Sequence, residues 1–446
     1  MIYNYKTYRP ILALLISIFI SANSFAQINK EVDSEQALQN LFDSLYIEGI
    51  REFDKDIKHQ NLEKSVKALE EALEIEPLNT NAHYYLAYAY SGLNRIKGTG
   101  SAYRDIKLTE KCSEHMDMVI RIDPDFPPKL ALSPYSKITA EWGAQAYYYW
   151  IHNNLDSAFM AFNKGMNKGG FSEFMLSVRR LQMDQCPPNS ILFTKGDDNF
   201  WNFLYLQTIE NYRTDIAIID LTLLNSMWYQ KLLNSRGIIN FKIANESNKG
   251  YNIVNWTDTI VEIPFHKTGR VFSWNFDARG NNPYFLFYGD EAVLNIVSHN
   301  QFLRPVYFAL GVPTENFHNL WAEVRDEILL DQITPMNDSR MSTQAYDSLA
   351  NVVLAGLKGF NKNSYDERLM LNSIRKSILS RVYLNWLSNV DSDKDNAKYL
   401  LNRLMDELPL SVYPYLDEEI ENTFKDFKRV IFDDNMSSDF KTTSKN

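Results

Sequence analysis

Cysteine is nearly absent from this chain: 446 residues contain two, Cys112 and Cys186. No C-x-x-C pair exists, so a metal site built from cysteines is excluded. Two readings of the thiols stay open. They pair in an oxidising compartment, or both are small core residues; their places in different expected domains favour the second. Histidine is sparse too, at seven. His266, His299 and His318 fall in one region, yet no H-x-x-x-H or H-E-x-x-H spacing joins them. A metal hydrolase therefore has no support here. G-x-S-x-G, G-x-x-x-x-G-K-[ST] and G-x-G-x-x-G are all missing, so neither a nucleophile elbow nor a phosphate-cradling loop is signalled. We expect no metal and no cofactor. Positive charge is in deficit, with 46 Lys and Arg against 56 Asp and Glu and a formal charge of −10. Such a chain repels phosphate backbones, which excludes nucleic acid as a natural partner.

Long apolar runs are missing after residue 26, so the processed chain is not expected to span a membrane. The one charge-free apolar run, Ile11 to Ile20, is too short for a bilayer, follows the basic residues Lys6 and Arg9, and precedes Ser24-Phe25-Ala26. That order is an export signal, with cleavage expected after Ala26 and a periplasmic or secreted product. What is plentiful is aromatic: 26 Tyr, 26 Phe and 8 Trp. Such side chains fill large cores and line grooves.

From about Asn61 a helical pattern recurs. Ser65, Leu69, Ala72 and Pro77 are spaced like Cys112, Met116, Val119 and Pro124. His83, Leu86, Ala87 and Tyr90 supply a helix face between them, and Ala158, Phe162 and Gly165 suggest a weaker third unit. Small residues let two helices approach, a larger apolar one fills the gap, and proline ends the helix. The pattern resembles the tetratricopeptide repeat. On such helices Leu86 and Tyr90 fall on the core face. Tyr85, Tyr88 and Tyr148, near the run Tyr147-Tyr148-Tyr149-Trp150, are candidates for a partner-binding groove. The spacing returns at Ala397, Leu401, Leu404 and Pro409 in a helix-rich stretch from about Asp366 to Phe432.

The middle differs. Ile191-Leu192-Phe193-Thr194 reads as a strand, Gly196-Asp197-Asp198-Asn199 as a turn, Phe200 to Asn211 as a helix, and Ile216 to Ile219 as a second, neighbouring parallel strand. Further on, Leu221 to Leu233 reads as loop and helix with Trp228, Leu232 and Leu233 on one face. Tyr251 to Phe265 reads as extended, Glu291 to Gln301 as a helix with Val293, Ile296 and Val297 inward, and Arg304 to Leu310 as a strand. We thus expect a signal over 1–26, tetratricopeptide-like helical repeats over 27–183, an α/β layered domain with a mostly parallel sheet over 184–335, and C-terminal helical hairpins with a frayed tail over 336–446.

Ligands of parallel α/β layers gather beyond the carboxyl ends of the strands. Gly196, Asp197, Asp198 and Asn199, with Asp220 at the end of the next strand, are therefore the candidate ligand-binding residues. The competing reading is that Asp198 or Asn199 only caps the following helix.

Several pieces resemble the soluble C-terminal part of bacterial protein O-mannosyltransferase-like membrane glycosyltransferases. They are Pro188-Asn189-Ser190-Ile191-Leu192-Phe193-Thr194, Gly196-Asp197, Tyr205-Leu206-Gln207, Arg213-Thr214-Asp215-Ile216, Leu223-Leu224-Asn225 with Trp228-Tyr229, and Arg304-Pro305-Val306-Tyr307-Phe308-Ala309. The resemblance covers about Cys186 to Tyr415. The family's membrane half has no counterpart here, and its acidic turn, usually Gly-Asp-Asn-Asp-Thr, reads Gly196-Asp197-Asp198-Asn199-Phe200. What the resemblance implies is an exported α/β domain coupled to helical repeats, not transferase activity. The expected function is a non-enzymatic interaction or scaffold protein that grips a protein partner through its repeats. An alternative is a glycan-binding or accessory subunit of a membrane glycosyltransferase or protein O-glycosylation system; a third is a hydrolase assembled from unlinked residues.

Overall fold

A computed structural model describes residues 35–56, 59–96, 103–243, 253–265, 269–279, 284–320, 324–334, 341–416 and 418–432. The expected signal, His266 and the expected frayed tail lie outside the described residues. The chain forms two compact units that divide between Asp123 and Pro124.

The first unit is helical: α1 (residues 35–53), α2 (Leu62–Ile75), α3 (Thr80–Ile96) and α4 (Ile106–Ile122). Asn61 and Asp105 start α2 and α4 by accepting from Lys64 N–H and Lys107 N–H, which satisfies amides the helix itself leaves free. The repeated small positions are where helices touch. Ser65 Oγ donates to Gly49 O at 2.8 Å. A Cβ on Gly49 would lie 2.5 Å from Leu69, so only glycine fits that crossing. Leu69, Ala72, Leu86, Ala87, Cys112, Met116 and Val119 are buried, as the spacing required.

The second unit holds the sheet. Strands β1 (Ile191–Thr194), β2 (Ala217–Asp220), β3 (Ile253–Asn255), β4 (Thr259–Phe265), β5 (Arg270–Phe276), β6 (Phe285–Phe287), β7 (Val306–Ala309), β8 (Val324–Asp326) and β9 (Leu330–Ile333) follow in chain order. The main sheet runs β2-β1-β7-β9-β8. β1 is parallel to β2, with Ile191 opposite Ala217 and Thr194 opposite Asp220, and parallel to β7. β9 returns antiparallel to β7, and β8 to β9. Every residue of β1, β2 and β7 is buried, as unbroken apolar runs in a covered parallel layer require.

Helices α5 (Pro134–Ile151), α6 (Leu155–Asn167), α7 (Glu173–Gln185), α8 (Asp197–Ile209), α9 (Met227–Ser235) and α10 (Tyr288–Asn300) belong to this unit. α5 crosses α8 at Gly143, where a Cβ would sit 2.4 Å from the Trp201 ring. α7 lends Phe174, Met175, Val178 and Leu181 to one core with the C-terminal helices α11 (Thr343–Gly356), α12 (Tyr365–Trp386), α13 (Asp391–Glu407) and α14 (Glu418–Phe432). Ala397, Leu401 and Leu404 lie in that core.

Three local expectations are corrected. Helix α8 begins at Asp197, not Phe200, and its N-cap is Gly196 at φ 95°, a backbone region glycine enters without penalty. Asn199 is thus inside the helix and not its cap; its Nδ2 donates to Lys195 O at 2.7 Å and its Oδ1 accepts from Arg179. On α9 the buried face is Tyr229, Gln230 and Leu233, while Trp228 and Leu232 are half-buried. Tyr251 to Phe265 is not one extended piece: β3 pairs with β6, and β4 turns back on β5. The period-2 alternation of β5 (Phe272, Trp274 and Phe276 buried, Val271, Ser273 and Asn275 exposed) follows from one covered face.

Both cysteines are free and buried, Cys112 in the first unit and Cys186 in the second. Burial pushes the Cys186 thiol up to about 12.

Candidate ligand-binding cleft

The turn after β1 sits above a buried carboxyl. The register that sets Thr194 opposite Asp220 brings the carboxyl ends of β1 and β2 side by side. Gly196 and Asp197 are exposed there, while Asp220 is buried. Asp220 Oδ1 accepts from Leu223 N–H at 2.8 Å. Among the described residues neither Asp220 Oδ2 nor Thr194 Oγ1 has a hydrogen-bond partner. Burial pushes the Asp220 carboxyl up to about 7, against the pull of backbone N–H groups around it and with Asp197 adding repulsion. The strand ends are then closed over: Lys195 Nζ donates to Asn316 Oδ1 at 2.9 Å across the β7 side. Arg179, wholly buried, holds Asn199 from below and also donates to Gln182 Oε1 at 2.7 Å. The structure thus brings Gly196, Asp197, Asn199 and Asp220 together.

A cleft of about 950 Å³ opens at the other end of the parallel strands, and none of those residues lines it. Its rim is formed by the segments that lead into each strand: Pro188 and Asn189 before β1, Thr214 to Ile216 before β2, and Leu303 and Arg304 before β7. Two arginines build this end. Arg304 donates from Nε to Asn189 O at 2.6 Å, from Nη2 to Ser190 O at 3.2 Å and from Nη1 to Ile238 O at 3.2 Å. Arg213 pairs with Asp215 through Nε and Nη2, at 2.9 and 3.0 Å, and donates from Nη1 to Met183 O at 2.5 Å and from Nη2 to Cys186 O at 3.0 Å. That guanidinium holds the Asp215 carboxyl down at about 2, with Asn189 N–H donating to it as well. The motifs Arg213-Thr214-Asp215 and Arg304-Pro305 therefore fasten strand entrances, since a planar fork suits several carbonyls at once. Pro305 also fits: it need donate nothing, and its carbonyl accepts from Ile191 N–H at 2.8 Å.

The walls are aromatic. Tyr147 and Trp150, one turn apart at the end of α5, stack at 5.6 Å, and Tyr147 meets Phe200 of α8 edge-on at 5.8 Å. Arg236 lies 4.2 Å above the Trp150 ring, and its Nη2 donates to Ile151 O at 2.9 Å and to Asn153 Oδ1 at 3.0 Å. A cation there also suits the carbonyl end of α5. Leu155, Phe159 and Leu303 leave apolar surface open at the mouth, at 49%, 37% and 55% exposure. Asn189, Gln207, Thr208 and Thr214 add polar groups. The lining is thus mixed, apolar rings and aliphatic groups beside about as much polar surface. A concave cavity with fixed polar groups is the form of a ligand site, though most such sites are more apolar than this one.

The candidate groove rings lie apart. In the first unit Tyr88 is buried against Tyr84 and Phe53, and Tyr85 is half-buried against Tyr46 and Phe53. In the second, Tyr148 packs on Tyr149 and His152 and does not line the cleft. The sequence singled out the run Tyr147 to Trp150, but its lining members are the i, i+3 pair Tyr147 and Trp150. Phe159, Phe200 and Arg236 carried no separate signal. Among the described residues no group of three or more His, Cys, Asp or Glu is placed to hold a metal ion, and no helix is long and apolar enough to cross a membrane.

Comparison with known proteins adds one match. Residues 177–238 match the family model TMEM260-associated domain 2, a domain linked to O-mannosyltransferase-like proteins. That segment runs from α7 to Ile238 and carries most of the cleft lining, from Pro188 to Ile238. No curated protein and no solved structure matches the chain.

Proposed function

We propose that this is an exported recognition protein. Its α/β unit holds a ligand in the cleft beside β2, and its tetratricopeptide-like hairpins present a second, partner-binding surface. The observation that carries the reading is the cleft itself: about 950 Å³, walled by Tyr147, Trp150 and Phe200, with an apolar mouth. Its arginines are committed to backbone carbonyls, so they act as fixed walls rather than mobile reagents. The shared spacing of Ser65, Leu69, Ala72 and of Cys112, Met116, Val119, all buried, supports the repeat reading. Lys6, Arg9, the run Ile11 to Ile20 and Ala26 support export, with processing after Ala26.

Ligand-induced stabilisation tests the reading. A panel of synthetic peptides and oligosaccharides is screened by thermal shift on the processed chain. A binder present at 100 times its Kd stabilises by about 2.7 kcal/mol. Thr208→Trp, which fills the cleft from α8, should abolish that shift. A shift that survives the substitution places the ligand elsewhere, and a panel without any binder ends the recognition reading. A second reading, a glycan-binding or accessory subunit of a membrane glycosyltransferase, is favoured by the 177–238 match and by the ring faces in the cleft. Binding confined to the oligosaccharide arm selects it.

A further inference from the structure

We infer that an extended peptide segment of a partner protein, bearing a carboxylate, docks in the cleft by pairing its backbone with Ile218 on the free edge of β2. The inference rests on the recognition reading above and names the ligand of the same cleft. β2 is the edge strand of the five-stranded sheet. In a parallel ladder alternate residues face the neighbouring strand. Ala217 N–H donates to Ser190 O at 2.9 Å and Leu221 N–H to Thr194 O at 2.8 Å, both toward β1. Ile216, Ile218 and Asp220 accordingly turn their peptide groups outward.

Side chains already occupy two of the outward positions. Gln207 Nε2 donates to Ile216 O at 2.9 Å. Asp220 N–H donates to Tyr229 Oη at 3.1 Å. Between them, among the described residues, no hydrogen bond reaches the outward N–H or C=O of Ile218, and Ile218 lines the cleft. Caps of this kind blunt an edge against open-ended strand pairing. Here they leave one donor and one acceptor on a single residue, the pattern a second extended backbone completes. A peptide added there places alternate side chains on opposite sides, within reach of the apolar surfaces of Leu204, Phe200 and Phe159. Charge points the same way. Arg236 and Arg304 line the cleft, and among the described residues the one acid of the lining, Asp215, is paired with Arg213. In a chain of net charge −10 this is a local positive site that complements a carboxylate.

The test pans random nonapeptides displayed on phage against the processed full-length chain and resynthesises the winners. Oligomannose glycans and a synthetic peptide of residues 433–446 run as separate arms. The expected winners are acidic. Their Kd should rise at least tenfold in Ile218→Pro, which removes the outward N–H from an edge position where proline is tolerated, and several-fold in Arg236→Ala. Amide exchange on the unsubstituted chain provides a check that needs no variant: the bound peptide should slow exchange at Ile218 more than tenfold. Winners that bind Ile218→Pro unchanged, or leave Ile218 exchange unaltered, overturn the inference. So does preferential binding of the chain's own 433–446 peptide. Binding by glycans alone overturns it as well but leaves the recognition reading standing. Binding in no arm removes both.

Discussion

Arg304 ties three peptide carbonyls with one guanidinium, and it shows how a single side chain sets one end of the sheet. Removing it takes a donor from the carbonyls of Asn189, Ser190 and Ile238, but Ser190 O keeps Ala217 N–H, Asn189 is exposed to water and Ile238 is half-buried. Each lost hydrogen bond is then worth about 0.5–1.5 kcal/mol, so Arg304→Ala should destabilise by about 1–3 kcal/mol in urea unfolding. Arg304→Lys should recover little, because an ammonium cannot reproduce the fork. Asp220 makes a pH prediction. Burial raises its folded-state pKa from the ordinary 3.8 to about 7. The native state holds this proton more tightly than the unfolded chain does. The associated stability is complete below about pH 4 and is lost as pH rises through 7. Asp220→Asn, neutral at every pH, should flatten that part of the stability profile and melt higher than the unsubstituted chain at pH 8. An unchanged profile means Asp220 is charged in the native state. At this scale the sequence was informative about residue type and poor about role. The junction of strand and helix at Gly196 was legible, but Asp197, Asp198 and Asn199, which read as turn, are the first residues of α8. Gly196 caps α8 at φ 95°, and Asn199 is held instead by Arg179 of α7, a contact that local sequence does not encode.

Helix pairs depend on contacts as close as that one. Gly143→Ala would push a methyl into Trp201 where α5 crosses α8. Overpacking of this kind costs about 1–3 kcal/mol, measurable as a lowered denaturant midpoint. In the first unit the α3–α4 contact contains a histidine pair. His83 and His115 meet through their Nδ1 atoms at 2.8 Å, and His83 Nε2 lies 2.9 Å from Pro77 O. Tyr90 stacks on His115, and Tyr90, Glu70 and Lys111 form a hydrogen-bonded set beside it. Burial lowers the pKa of both histidines, that of His115 from 6.5 to about 4, with His83 adding repulsion. A depressed pKa gives stability that is present above 6.5 and lost as pH falls toward 4. The full chain should therefore lose helical signal at a lower temperature at pH 4.5 than at pH 7, and His115→Gln should remove most of that difference. A difference of equal size in His115→Gln excludes the pair as its origin. Element by element, the strands β1, β2 and β7 were legible because strands covered on both faces are unbroken apolar runs. The β4–β5 hairpin was missed although β5 alternates cleanly and the short link between the strands ends in Gly269, at φ 67°, a hairpin signal that the reading passed over.

Across the whole molecule the sequence placed a boundary near residue 183, between helical repeats and sheet. The compact units divide at Asp123 instead. The physical reason lies in what α5 to α7 cover. The α5 face around Gly143 lies on Trp201 of α8, and α7 shares a core with α11 to α14. Helical periodicity shows that a helix has an apolar face, not which neighbour buries it. A chain starting at Pro124 should thus unfold cooperatively on its own, whereas one starting at Asp184, which strips α5 to α7 from that core, should aggregate or fail to fold. Equal solubility and cooperativity of the two fragments contradicts this division. The cleft explains itself at the same scale: its lining comes from α5, α6, α8, α9 and three strand entrances, spread from Tyr147 to Arg304. No short motif spans that distance, which is why the site was not legible; Arg213-Thr214-Asp215 and Arg304-Pro305 stood out only as pieces of the resemblance, and their hold on the strand entrances appears in the structure.

The most direct measurement is amide hydrogen exchange at Ile218 in the full processed chain, with and without a saturating acidic peptide selected on it. The account predicts fast exchange at Ile218 in the free protein and more than tenfold slowing in the complex, with Ala217 and Ile219 already protected by the ladder in both. Full protection of Ile218 in the free protein, or no change on binding, contradicts it.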